Sequence, residues 1–394
     1  MQPHKLLLFF TALLATGLVA CQKEVHSPLS DDGPIPDTLK NISVAALPGA
    51  ARITYTLPDN AGILYVRADY ENRPGIKREI KASFYNNSLV VDGFGDTLAH
   101  TINLYVVSRS EHASRPVTIS VKPLEPAVIT VFRSLAVRED FGGVNITFKN
   151  ESKADIAIVT LTDDSLGIFG QTDIHYTSSP GSAYSLRGFT ATKRAFGFFV
   201  KDRWGNQSDT LRGEYTPLYE KLMDKSKFRE VDLPGDIGYG WGLPMPNLWN
   251  GIFSGYDMWH SADKLDGMPM WITFDMGVTA QLSRIGLWQR QQEGYLYAQN
   301  NLKQFEIWGA VNPPSDGSWN NWTKLAEHTV VKPSNLPIGQ VSQEDLDAAA
   351  TGEQMDIPLT APRVRYIRVK ILKTWTDGGY AANIAEMSFW GNDQ

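Results

Sequence analysis

The run ARITYTL (Ala51–Leu57) sets the terms for what this chain can fold into. Ile53, Tyr55 and Leu57 alternate with Arg52, Thr54 and Thr56, a period of two that gives a strand one buried and one wet face. The same period recurs far downstream in MWITFDMG (Met270–Gly277), LSRIGLWQR (Leu282–Arg290), LKQFEIWGA (Leu302–Ala310), VRYIRVKIL (Val364–Leu372) and IAEMSFWG (Ile384–Gly391). A helical period of useful length is confined to SQEDLDAAA (Ser342–Ala350), where Ser342 is placed to cap the first turn. An all-β chain is expected.

The first part of the chain contains a weak repeat. GAARITYTLP (Gly49–Pro58) resembles GGVNITFKNE (Gly142–Glu151), ILYVRADY (Ile63–Tyr70) resembles IAIVTLTD (Ile156–Asp163), and LYVVSRSEHAS is echoed by GFFVKDRWGNQS. The displacement stays at ninety-odd residues, which points to one duplicated module. Strands at short spacing, separated by Gly, Pro and Asn-Asn turns, suit an immunoglobulin- or fibronectin-III-like sandwich in each copy. The boundaries read as 38–124 and 125–219. In DRWGNQSD (Asp202–Asp209) Gly205 supplies a positive φ and Asn206 bonds locally, leaving Trp204 exposed or edge-packed. The plainest role for both modules is spacing.

From about residue 220 the composition shifts. Trp241, Trp249, Trp259, Trp271, Trp288, Trp308, Trp319, Trp322, Trp375 and Trp390 all lie here, leaving one of the chain's 11 tryptophans elsewhere. Residues 220–394 are expected to form one further β-sandwich. Trp271, Trp288, Trp308 and Trp390 lie in regular strands and are expected in core or inter-sheet packing. Trp319 and Trp322 are assigned to a turn and the start of a strand. Trp241, Trp259, His260 and Trp375 lie in polar or Gly-rich stretches instead.

The N-terminus reads separately. Lys5 precedes the apolar run LLLFFTALLATGLVA, right in length for a signal peptide and too short for a membrane span. It ends in LVAC, and Cys21 is the chain's only cysteine. The stretch resembles a bacterial lipobox, so residues 1–20 are read as signal peptide, Cys21 as the lipidation site and residues 21–37 as a flexible Pro/Ser/Asp tether. An exported chain with one cysteine has no internal disulfide, so each domain rests on its apolar core. A net charge of −6 and the lack of a basic stripe argue against nucleic acid.

Sequence motifs for catalysis are weak. The seven histidines form no metal-ligand pair, and no G-x-S-x-G elbow or cysteine nucleophile is present. Asp163-Asp164 and Glu344-Asp345 lie in polar segments, where solvated faces and helix caps are the common use. GDIGYGWG (Gly235–Gly242) has the glycines of a phosphate loop but is not followed by the helix whose N-terminal amides such a loop needs.

The ordered set ITFDMG, LSRIGLW, FEIWGA, RYIRVKI and AEMSFWG resembles discoidin or coagulation-factor-5/8-type C domains, which are galactose-binding-like jelly rolls. With the lipobox and the two modules, the whole chain resembles Bacteroidota surface lipoproteins of polysaccharide-utilisation loci. The resemblance implies a ligand face built from loops at one end of the sandwich, and its candidates here are Trp241, Trp259, His260, Arg290, Tyr295, Tyr297, Trp375 and Tyr380. It also implies a structural Ca²⁺ near that face, held by Glu386 and by Asn250 of Asn250-Gly251, where the family has Asp-Gly. The expected function is non-catalytic capture of polysaccharide or oligosaccharide at the outer membrane, facing outward, beside a SusC/SusD-like uptake complex. Adhesion to protein or envelope is the alternative, and a glycoside hydrolase a more distant one. In NLWNGIFSGYDMWH (Asn247–His260) the reading divides the stretch: Trp249 and Phe253 buried under a turn, Trp259 and His260 presented to ligand.

Overall fold

The computed structural model describes residues 33–394 apart from positions 60, 61, 165, 254, 293, 377 and 378, so Cys21 and the leader lie outside the described residues. The described chain is all-β and built from sandwiched sheets. In the first module Lys40–Leu47, Ala50–Thr56 and Ser88–Asp92 form one sheet. Ile76–Ser83, Ile63–Arg73, His100–Ser108 and Val117–Val121 form the other. Ile53 and Tyr55 point into the core between them with Val66, Val91, Phe94 and Leu104, while Arg52 and Thr54 face water.

The second module repeats this plan down to single hydrogen bonds. Gly49 N–H donates to Leu124 O and Phe94 N–H to Gly49 O, while Gly142 N–H donates to Leu218 O and Phe189 N–H to Gly142 O. Val106 N–H bonds Ser114 Oγ, and Val200 N–H bonds Ser208 Oγ. The repeat in sequence is a repeat in backbone geometry. One element departs from the expected all-strand modules: Ala127–Ser134 is an α-helix after Pro126, with Val128 and Val131 buried on one side. β-branched residues disfavour helix only by tenths of a kcal/mol, and burial of an apolar face outweighs that.

Polar groups lock the joints between domains. At the first, Asn206 Nδ2 donates to Gly93 O at 3.1 Å and Arg73 donates to Gly205 O at 3.0 Å. Trp204 packs here: a Cβ on Gly93 would lie 2.7 Å from its ring, and Arg203 covers its face. At the second, Arg187 pairs with Asp140, Glu220 and Asp356 at 3.3, 3.3 and 3.0 Å, and Glu220 also takes Arg284 and Ser283.

The third domain is organised by one 19-residue strand, Met270–Trp288. Its first part pairs with Val364–Thr374 and Arg229–Val231, and its second with Glu386–Asn392 and Glu353–Asp356. The register breaks between Asp275 and Ala280, around Gly277 at φ 71°, so a single bent strand serves both layers. Phe274, Ile285, Phe305, Ile367, Val369 and Phe389 fill the space between. Helix Gln343–Thr351 begins at Ser342 in a capping box with Asp345.

The strand tryptophans are not in that core. Trp271, Trp288, Trp308 and Trp390 occupy outward positions and are half-buried, Trp271 and Trp308 against Trp319, and Trp390 beneath the Arg284 guanidinium. Indole has a large apolar body and one N–H, which suits such half-wet sites. Trp288 donates to Ala350 O and Trp308 to Glu306. On the outer face of one sheet the loop carrying Trp319 and Trp322 folds back over Arg368, whose guanidinium lies 4.7 and 4.5 Å from the two ring centres. Gly317 makes the fold-back possible, since a Cβ there would sit 1.9 Å from Pro234 O.

Candidate functional site

The loop end of the third domain is assembled by backbone pairing among four segments. Gly240 N–H donates to His260 O and Ala262 N–H to Gly238 O, fastening residues 238–243 to 258–264. Ser261 N–H donates to Ala382 O and Lys264 N–H to Tyr380 O, fastening the same strand to the segment before the last strand. That segment in turn receives residues 297–301, through Asn383 N–H to Asn300 O and Thr376 N–H to Gln299 O. Residues distant in sequence thus share one small platform.

Trp241 is its most prominent member. It is 83% exposed and held at φ 57°, in the left-handed region that a bulky non-glycine residue rarely occupies. Gly240 and Leu243 are pinned on either side of it. Tyr239 beside it and Tyr380 across the platform are 50% and 57% exposed. His260 is almost buried: Nδ1 bonds Ser261 O, and Nε2 faces Asn300 Nδ2 at 3.2 Å, so that side chain contact joins two of the four segments. Exposed ring faces such as these can pack on the C–H faces of a sugar, while both ring nitrogens of His260 are already engaged by Ser261 and Asn300 and serve to hold the platform together.

The other candidates are placed differently. Trp259 is wholly buried in the sandwich core, its strand pairing Ile384, and cannot offer a face to a ligand; this corrects the expectation for it. Strand alternation beside His260 turns its ring inward, a register effect that the residue pattern does not disclose. Tyr297 is also corrected to a core residue: it is buried edge-on against Trp375, with its hydroxyl donating to Asp345 O at 3.3 Å and burial pushing its phenol up to about 12. Trp375 is half-buried, with Lys303 Nζ 4.5 Å over its ring. Arg290 is mostly buried, clasped between Tyr295 at 3.3 Å and Tyr256 at 5.2 Å, with its Nε on Gln292. The Arg290 guanidinium is thus engaged by Tyr295, Tyr256 and Gln292. Phe253 is exposed and touches Trp288 edge-on, while Trp249 packs on Phe228 and Phe274. The division expected for NLWNGIFSGYDMWH therefore does not hold: Phe253, expected buried, is exposed, and Trp259 and His260, expected to be presented, are buried.

Tyr239 and Asn300 are not among the residues expected from the sequence. Tyr239 was visible in GDIGYGWG, next to Trp241; Asn300 carried no signal, because its role arises from the pairing of the 297–301 segment.

The residues expected to hold calcium do meet, but they do not fit it. Glu386 Oε2 accepts Gly251 N–H at 2.9 Å, and Oε1 is paired with Lys225 Nζ. Asn250 Oδ1 accepts Ile252 N–H at 2.7 Å. Calcium takes six to eight oxygens, and no group of three or more His, Cys, Asp or Glu side chains gathers as a metal site among the described residues.

Three family models match in tandem, each a domain of unknown function: DUF4959 over residues 36–123, DUF5126 over 124–226 and DUF5000 over 249–391. The SusE-like protein BT2857, from Bacteroides, is 36% identical, and the match covers 68% of this chain and 100% of that one, with a TM-score of 0.46. On that identity over its full length, this chain belongs to the SusE-like family. A fragment of a candidate chitobiase from Bacteroides thetaiotaomicron is 22% identical over 44% of this chain and 94% of that one, TM-score 0.33. A two-domain fibronectin type-III segment of chicken tenascin is 14% identical over 46% and 99%, TM-score 0.23. Among curated proteins none matches the chain.

Proposed function

We propose that this SusE-like chain is a non-catalytic glycan-binding protein of the bacterial surface, anchored through Cys21. The two modules are fibronectin-III-like spacers, and the third domain is a discoidin-like head that captures polysaccharide for a SusC/SusD-like uptake system. The observation that carries the reading is Trp241. Its ring is solvent-exposed, and its backbone is held in a conformation costing on the order of 1–3 kcal/mol, beside the His260–Asn300 contact and Tyr380. A pinned, displayed aromatic suits stacking on a sugar ring. The locked joints favour a head carried at fixed orientation.

The test is a glycan panel followed by calorimetric titration of the soluble mature chain. Trp241→Ala is expected to weaken binding about tenfold or more, as loss of an aromatic anchor does, and Tyr380→Ala to weaken it less. Melting temperature stays unchanged in both. Wild-type affinity in both variants would move the binding site off this platform.

A further inference from the structure

We infer that Lys225 is a built-in cation: its ammonium takes the place that the family resemblance gives to calcium, so the 249–253 turn keeps its shape without a metal. Glu386 opens the last strand with its side chain fully buried, and the Lys225 side chain is only 19% exposed. One carboxylate oxygen pairs with Lys225 Nζ and the other holds Gly251 N–H, tying the turn to the core. Lys225 is itself set in a short 3-10 turn, Lys225–Lys227, where the Asp224 side chain accepts the Ser226 N–H. Asn250 contributes a neutral amide oxygen that is already committed to Ile252. The turn therefore needs one positive charge and a few donors, which an ammonium supplies, rather than a cage of six oxygens.

The same domain uses this device again. Lys332 is 5% exposed, and its Nζ donates to Leu336 O and Pro337 O at 3.1 Å each and to Gln340 O, with Asp345 Oδ2 at 3.9 Å. Three carbonyls and a carboxylate around one ammonium close the loop that leads into helix Gln343–Thr351. Two loops are thus braced by a lysine ammonium, one buried at Lys332 and one mostly covered at Lys225.

The full mature protein is melted in EDTA and in millimolar calcium, and titrated with terbium as a luminescent calcium mimic. The expected result is an identical melting temperature in both buffers and no saturable terbium signal. Lys225→Met is expected to lower the melting temperature of the third domain by roughly 10 °C, because it strands a buried carboxylate. Adding Glu386→Gln to that variant is expected to restore most of the loss. A calcium-dependent rise of several degrees in the wild type, or terbium binding abolished by Glu386→Gln, would overturn the inference. So would a Lys225→Met protein that melts like the wild type. If Lys225→Met does not fold, the wild-type metal arms and the double variant still decide.

Discussion

The third domain sets its tryptophans in two contrasting ways. On the outer sheet face Trp271, Trp308, Trp319 and Trp322 gather around Arg368, with ring pairs 5.2–5.4 Å apart meeting edge to face. Arg368 is fully buried there: Nε bonds Thr273, NH1 bonds Gly317 O at 3.1 Å, and Asp236 lies 3.7 Å away. At the loop end Trp241 stands alone and exposed. The first group is a cover in which the rings pack on one another and on Arg368, whereas the second is a ring whose backbone is constrained and which stands exposed. Density of tryptophan therefore marks where a charged side chain had to be roofed over. A single constrained aromatic marks where something is displayed.

Three measurements sharpen that contrast. The largest effect is expected from Arg368→Ala, which removes the centre of the cover and leaves Asp236 buried without its cation. Chemical denaturation should show a loss of about 3–5 kcal/mol, and a loss below about 1 kcal/mol would mean that the rings hold themselves together.

A smaller effect concerns Asp236. Burial raises its carboxyl from 3.8 to about 6, opposed by hydrogen bonds from Leu233 and Thr273 and by the charge of Arg368. A carboxyl that binds its proton more tightly when folded contributes stability at low pH, and that contribution disappears as pH rises through the folded value. Relative to Asp236→Asn, the wild type should therefore lose about 2 kcal/mol between about pH 4 and pH 7. Asp275, Glu306 and Asp345 are shifted downward and act in the opposite sense, so only the difference between the two proteins isolates Asp236. Parallel pH curves would show that the Asp236 contribution is absent.

The smallest effect lies at the loop end. Trp241→Gly should raise stability by about 1 kcal/mol, because glycine accepts φ 57° without strain. The same substitution in the cover, Trp319→Gly, should do the reverse. Equal losses at the two positions would erase the distinction between cover and display.

Sequence reasoning reached the strands well and the tryptophans poorly. Alternation in ARITYTL is a local property, so it places Ile53 and Tyr55 in the core without reference to any partner strand, as the structure has them. Ser342 was legible for the same reason, since a cap and its helix are neighbours. Trp259 is expected outside and lies in the core, while Trp271, expected in core or inter-sheet packing, is half-buried against Trp319 on the outer face. For a ring that tolerates both settings, exposure depends on what another segment lays over it.

By itself, then, the sequence determined the all-β class and the duplication of the first module. These rest on period, spacing and glycine content, which act within a few residues. Tertiary structure alone decided that Trp259 turns inward, that Arg290 is clasped by two tyrosines, that Asn300 meets His260, and that Lys225 reaches Glu386. Each of these joins residues from separate segments, and the free energy of such a contact depends on desolvation and register. Neither quantity exists until the sheets have formed.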